Sequence, residues 1–337
     1  MNEQVLIQTA QAMVAEGRGI LAADESTGTI EKRFRSIGVE NTEPNRRAYR
    51  DMLFTTPGFE QYTSGVILFE ETLFQSALDG TPFPKLLADK GVIPGIKVDK
   101  GTKPLAGSPN ELITEGLDGL RERLVKYKEA GARFAKWRAV ITIGDGIPTD
   151  YCIHTNAHAL ARYAALCQEA DIVPIVEPEV LMDADNTIEV CEAVTGRTLE
   201  AVFDELRRQR ILLEGMVLKP NMVVSGKKCP VQADRRTVAE ATLRTLKRYV
   251  PAAVPGIAFL SGGQSDEDAT AHLDLMNKMG PLPWRLTFSY GRALQAAALK
   301  AWGGHNVEAG RKAHLHRARM NGLAAAGKWD PALEKAA

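Results

Sequence analysis

The chain has 337 residues, 45% of them apolar, which suffices for a large core and lies within the size of one α/β barrel. Lysine plus arginine equals aspartate plus glutamate, 42 against 42, so the overall charge points to neither a nucleic acid nor a membrane surface, while a local pocket can still be basic. The four cysteines, Cys152, Cys167, Cys191 and Cys229, show neither disulfide nor zinc spacing, and no run approaches the roughly eighteen apolar residues of a membrane helix.

The first nineteen residues read as a short amphipathic helix ended by glycine, with none of the basic-then-apolar pattern of a secretory leader. Reduced thiols in a cytoplasmic protein are the expectation. Short apolar runs then alternate with stretches of helical period. The strand candidates are residues 19–24 (GILAAD), 65–69, 94–99, 134–143 (FAKWRAVITI), 171–177 (DIVPIVE), 216–220 (MVLKP), 256–260 and 284–289. They are rich in Val, Ile, Leu and Phe, as strands covered on both faces should be. Helical patterns fill 43–54, 109–130, 156–169, 186–214, 232–250, 266–279 and 291–301, with a last helix at 307–326. Eight strand-helix alternations favour a closed (β/α)8 barrel with an extra helix at each end. The competing open sheet normally carries a GxGxxG turn, which is absent here. No linker divides the chain, so residues 1–337 are expected to form one domain, with 330–337 a loosely held tail.

Ionisable residues fall where a barrel of this kind has its site, at the C-terminal ends of the strands. Charge in a buried strand is costly unless paired. Yet Asp24 ends the first candidate, Lys97 and Asp99 lie in the third, Lys136 and Arg138 in the fourth, Glu177 ends the fifth and Lys219 stands in the sixth. Misplaced strand ends could put some of these on the surface, but a convergent site explains the set. A lysine amine attacks a ketone only when unprotonated, and burial beside another cation favours that form. Lys219 is the candidate nucleophile, Lys136 the neighbouring charge, and Asp24 and Glu177 the proton carriers. For Lys219 a buried ion pair is the alternative. Glycine-rich turns follow the seventh and eighth candidates, SGGQS at 261–265 and SYGRA at 289–293, the usual phosphate position in such barrels. Arg292 adds guanidinium donors there, and DESTGT at 24–29 with Lys97 suits a second phosphate. No HExxH occurs and no strand end carries histidine, so no metal site is expected. Trp137, Trp284, Met276 and Met279 read as packing residues.

These residues stand in recognisable company. LAADESTGTIEKRF at 21–34, ENTEPNRRAYR at 40–50, GIKVDKG at 95–101, FAKWRAV at 134–140, VPIVEPEVL at 173–181, LKPNMV at 218–223, FLSGGQS at 259–265 and LTFSYGRALQ at 286–295 run in order along almost the whole chain. The sequence resembles the class I fructose-bisphosphate aldolases of the animal and plant type. The resemblance implies that Lys219 forms a Schiff base, that Glu177 is a general acid/base, that Asp24 assists proton transfer at the C4 hydroxyl and that Lys136 stabilises charge, with Arg138 in the same stretch. It implies a C1 phosphate site at Ser261, Gly262 and Arg292. The C6 phosphate would lie at Ser26 and Lys97, with Thr29 where many relatives have serine. It implies a further substrate contact at Arg46. Phosphorylated sugars as substrates, no cofactor, cytoplasmic location and a homotetramer are likewise implied. Another Schiff-base barrel enzyme and a non-catalytic protein of inherited shape are the rival readings. One departure stands out: many relatives end in a tyrosine that reaches the active site, whereas the last tyrosine here is Tyr290.

Overall fold

The computed structural model describes residues 1–335. Its strands are β1 (Gly19–Ala23), β2 (Thr63–Leu68), β3 (Ile93–Lys97), β4 (Thr102–Leu105), β5 (Ser108–Thr114), β6 (Phe134–Ile141), β7 (Val173–Val180), β8 (Val217–Leu218), β9 (Gly256–Phe259) and β10 (Arg285–Tyr290). Of these, β4 and β5 form a separate antiparallel hairpin, and the other eight close into a parallel barrel in sequence order. Closure is made by β10 on β1, through Ile20↔Ser289 and Leu21↔Tyr290. The chain is therefore a (β/α)8 barrel, its strand ends shifted by up to three residues from those expected. Helices such as Asp150–Glu169, Ile188–Arg208 and Asp266–Lys278 cover the outside. Among the described residues no helix is long and apolar enough to cross a membrane. All four cysteines are buried and unpaired.

The two faces of each barrel strand have different chemistry, because side chains alternate with period two. On β6 and β7, Ala135, Trp137, Ala139 and Val176 point outward into the layer packed by helices, where Trp137 stacks on Tyr163. The inward set begins apolar: Phe134, Val173 and Ile175 join Ile20, Ile67, Val217 and Ala258 in an interior cluster. Helix Glu3–Met13 plugs this end of the barrel with Leu6, Ala10 and Met13, one face of a helix at i, i+4 and i+7. The ring of Phe134 occupies space left by two glycines. A Cβ on Gly95 would lie 2.2 Å from that ring, and one on Gly65 would lie 2.9 Å away. Further along the same strands the inward positions become Lys136, Arg138, Glu177 and Glu179, so the barrel is dry at its base and charged at its mouth.

Two expectations are corrected. Residues 109–130 do not form one long helix: Ser108–Thr114 is the second arm of the hairpin, and the helix is Leu120–Glu129. Gly116 at φ +129° and Gly119 at φ +67° adopt backbone that a continuing helix cannot, which separates the two. The strand expected to end at Glu177 runs on to Val180. Beyond residue 330 the chain forms a 3-10 turn, Pro331–Lys335, in which Glu334 accepts from Arg317 at 2.7 and 2.8 Å. Ala336 and Ala337, the rest of that tail, lie outside the described residues.

Candidate active site

The mouth of the barrel opens into a cavity of about 440 Å³. Asp24 enters it directly after β1, Lys97 from the end of β3, Lys136 and Arg138 from β6, Glu177 and Glu179 from β7, and Lys219 from the residue after β8. Ser261 and Gly262 follow β9, and Arg292 follows β10. Neighbouring strands set the layers: Lys97 is level with Lys136, and Arg138 with Glu177.

At the centre two lysines alternate with two carboxylates, all buried or nearly so. The Lys219 Nζ stands 3.2 Å from Glu177 Oε1. Lys136 Nζ is 2.7 Å from Asp24 Oδ2 and 3.4 Å from Glu177 Oε2. Burial by itself would push both carboxyls up. Lys136 and Lys219 outweigh it and hold Asp24 well below the usual carboxylate range, and Glu177 below it as well. Burial would likewise strip the proton from Lys136, but Asp24, Glu177 and Asp99 together raise its affinity above that of a free lysine. Lys136 is therefore a fixed positive charge in the cluster. Around it, Lys97 pairs with Asp99 at 3.2 Å and Arg138 pairs with Glu179.

The flanks carry hydroxyl and guanidinium donors. Ser26 caps the helix Thr27–Arg35, and its hydroxyl lies 3.1 Å from that of Thr29. Across the cavity the turn after β9 needs Gly263 at φ +80°, a conformation open to glycine at little cost. Sequence reasoning overlooked Arg33, which lines the cavity from the helix Thr27–Arg35 and is held by Glu25. The signal was present, since 26, 29 and 33 are spaced i, i+3 and i+7 and share one helical face. Arg46 lies elsewhere. Its Nε and Nη2 donate to Glu71 at 2.9 and 2.6 Å and its Nη1 to Asn41, which turns it away from the cavity lining. Among the described residues no group of three or more His, Cys, Asp or Glu side chains is arranged to hold a metal ion.

Residues 5–337 match the family model described as fructose-bisphosphate aldolase class-I. The chain belongs to the class I fructose-bisphosphate aldolase family. It is 60% identical over 332 residues to a Xanthomonas campestris pv. campestris protein named "Probable fructose-bisphosphate aldolase class 1", covering 98% of this chain and 99% of that one. It is 55% identical to cytosolic fructose-bisphosphate aldolase 4 of Arabidopsis thaliana, over 96% of this chain and 83% of that one. Among solved structures, the fructose-bisphosphate aldolase of Plasmodium falciparum, crystallised with TRAP and a small-molecule inhibitor, superposes with a TM-score of 0.96 at 52% identity, covering 97% of this chain and 96% of that one. Membership in this aldolase family makes the chain a lyase of glycolytic type.

Proposed function

We propose that the chain reversibly cleaves fructose 1,6-bisphosphate to dihydroxyacetone phosphate and glyceraldehyde 3-phosphate through an imine on Lys219. The observation that carries this reading is the buried Lys219 amine 3.2 Å from the Glu177 carboxylate, with the Lys136–Asp24 pair beside it. Lys219, as the free amine, adds to the C2 ketone, and the carbinolamine loses water with Glu177 as general acid. The protonated imine draws electrons from the C3–C4 bond, so no further electron sink is called for and no cofactor enters the scheme. Asp24 takes the C4 hydroxyl proton, the C3–C4 bond breaks and glyceraldehyde 3-phosphate leaves. The proton that Asp24 took passes through the Lys136 ammonium between the two carboxylates to Glu177, Glu177 delivers it to C3 of the enamine, and hydrolysis frees dihydroxyacetone phosphate. Lys136 and Arg138 stabilise negative charge on the hydroxyls and on the carboxylates that receive protons.

The two flanks suit a substrate with phosphate at both ends. Ser261, Gly262 and Arg292 would hold the C1 phosphate, with Arg33 beside them: its guanidinium lies 3.6 Å from where a Cβ on Gly291 would be. Ser26, Thr29 and Lys97 would hold the C6 phosphate. Arg46, bound to Glu71, is better read as a structural residue. The reading treats residues 1–337 as one functional unit. Homotetramer assembly and cytoplasmic location are part of it, the latter supported by the name of the cytosolic Arabidopsis relative. A coupled assay should show cleavage of fructose 1,6-bisphosphate, weaker turnover of fructose 1-phosphate, and no loss of rate with a metal chelator. Preference for a monophosphate sugar, or a rate abolished by the chelator, would contradict the proposal.

A further inference from the structure

One side chain bonds to both chain segments that lead out of the proposed C1 phosphate site, beside the Tyr290 hydroxyl, which donates to the Ala269 carbonyl at 2.8 Å. Arg317 projects from the helix Val307–Ala325 and is 5% exposed. Its Nη2 donates to the carbonyl of Asp266 at 3.2 Å and to Thr270 Oγ1 at 2.5 Å. Asp266 is the first residue of the helix whose N-cap, Ser265, ends the Ser261 turn. Its Nε donates to the carbonyl of Ala293 at 3.4 Å, and Ala293 follows Arg292 directly. Its Nη1 faces both oxygens of Glu334, at 2.8 and 2.7 Å. Every nitrogen of the guanidinium thus faces a main-chain or side-chain oxygen. A buried cation of this kind is costly without a counter-charge, and Glu334, from the C-terminal segment, pairs with it. Trp329 Nε1 donates to the same carboxylate at 3.1 Å, which fixes Glu334 in turn.

We propose that Arg317 is a positioning residue that sets the spacing between the Ser261–Gly262 turn and Arg292, and that Glu334 of the C-terminal segment holds it in that role. The proposal rests on reading that turn and Arg292 as a phosphate site. It gives the C-terminal segment a part in substrate binding from outside the cavity, through Glu334. A lysine at 317 keeps the charge but has neither the planar fork nor the reach to bond both segments at once.

The test uses the full-length chain with R317K, E334A and R292A, each assayed for cleavage of fructose 1,6-bisphosphate and for competitive inhibition by inorganic phosphate, alongside the thermal midpoint. R317K and E334A should each raise KM and the phosphate inhibition constant roughly fivefold or more, with kcat changed less than about twofold, because displaced donors weaken binding before chemistry. R292A should raise both constants further. Unchanged constants in R317K and E334A, beside raised ones in R292A, would overturn the role of Arg317 and leave the phosphate site standing. A lowered thermal midpoint with unchanged constants would mark a purely structural residue and overturn it equally. Unchanged constants in R292A would remove the phosphate site and the proposal with it. If R317K does not fold, E334A decides, since it leaves the guanidinium in place and removes only its counter-charge.

Discussion

Lys136 lies between Asp24 and Glu177 and is the main reason that both buried carboxyls stay ionised. Because both are held below the ordinary carboxylate range, their pairing adds stability above about pH 4, and that contribution is lost as pH falls below it. Replacing Lys136 by Met leaves burial unopposed by the nearest cation, so both carboxyls move upward. At pH 7 the variant should be less stable by about 3 kcal/mol, the usual cost of stranding a buried charge. The deficit should shrink at pH 5, where the freed carboxyls take up protons. Turnover of fructose 1,6-bisphosphate should fall at least about a hundredfold. Urea unfolding at the two pH values, beside a rate assay, would show this, and a deficit that grew toward pH 5 would contradict the electrostatic account. Lys219, Lys136, Asp24 and Glu177 were legible in the sequence because a charge inside an apolar strand has few other uses. Arg46 was named as a contact and Arg33 was overlooked. Both belong to polar helical stretches, EKRFR and NRRAY, and only the fold shows that one lines the cavity while the other turns to Glu71.

The inward faces of β6 and β7 carry the transition from packing to chemistry, Phe134 then Lys136 then Arg138, and Ile175 then Glu177 then Glu179. The depth of the charged layer depends on how the apolar layer beneath it is filled. Gly95 on β3 is required by the Phe134 ring, since an added Cβ would overlap it. Gly95→Ala should cost about 2 kcal/mol by overpacking. Phe134→Leu in the same chain should recover much of that loss, giving a coupling of about 1 kcal/mol or more between neighbours. Chemical denaturation of the two single variants and the double variant measures it, and strict additivity would show that the ring is not the obstacle. Strands of this kind are readable as apolar runs because both faces are covered. The hairpin β4–β5 was not, since its arms are largely exposed and Leu112 on β5, with Leu117 in the segment after it, falls in step with Leu120 and Leu124 of the helix that follows. The glycines at 116 and 119 were the discriminating signal, as each holds a positive φ that interrupts a helix.

At the scale of the molecule, a chain with no net charge lines the mouth of its barrel with charges of both signs. Order of strands, position of the cavity and the central lysine cluster follow from sequence pattern, because the barrel topology leaves a single face for chemistry. The docking of the C-terminal segment was not readable, since it depends on Arg317 and Glu334 meeting across separate elements, and DPALEKAA has no apolar period of its own. The barrel brings Lys219 beside Glu177, and the imine proposed at Lys219 is the step on which every other proposed role depends. Borohydride reduction in the presence of dihydroxyacetone phosphate, followed by peptide mass analysis, tests it most directly. The expected result is one adduct per chain, on Lys219 in the peptide containing LKPNM, and none after Lys219→Met. An adduct on Lys136 or another lysine, or a fully active protein that cannot be trapped, would contradict the account.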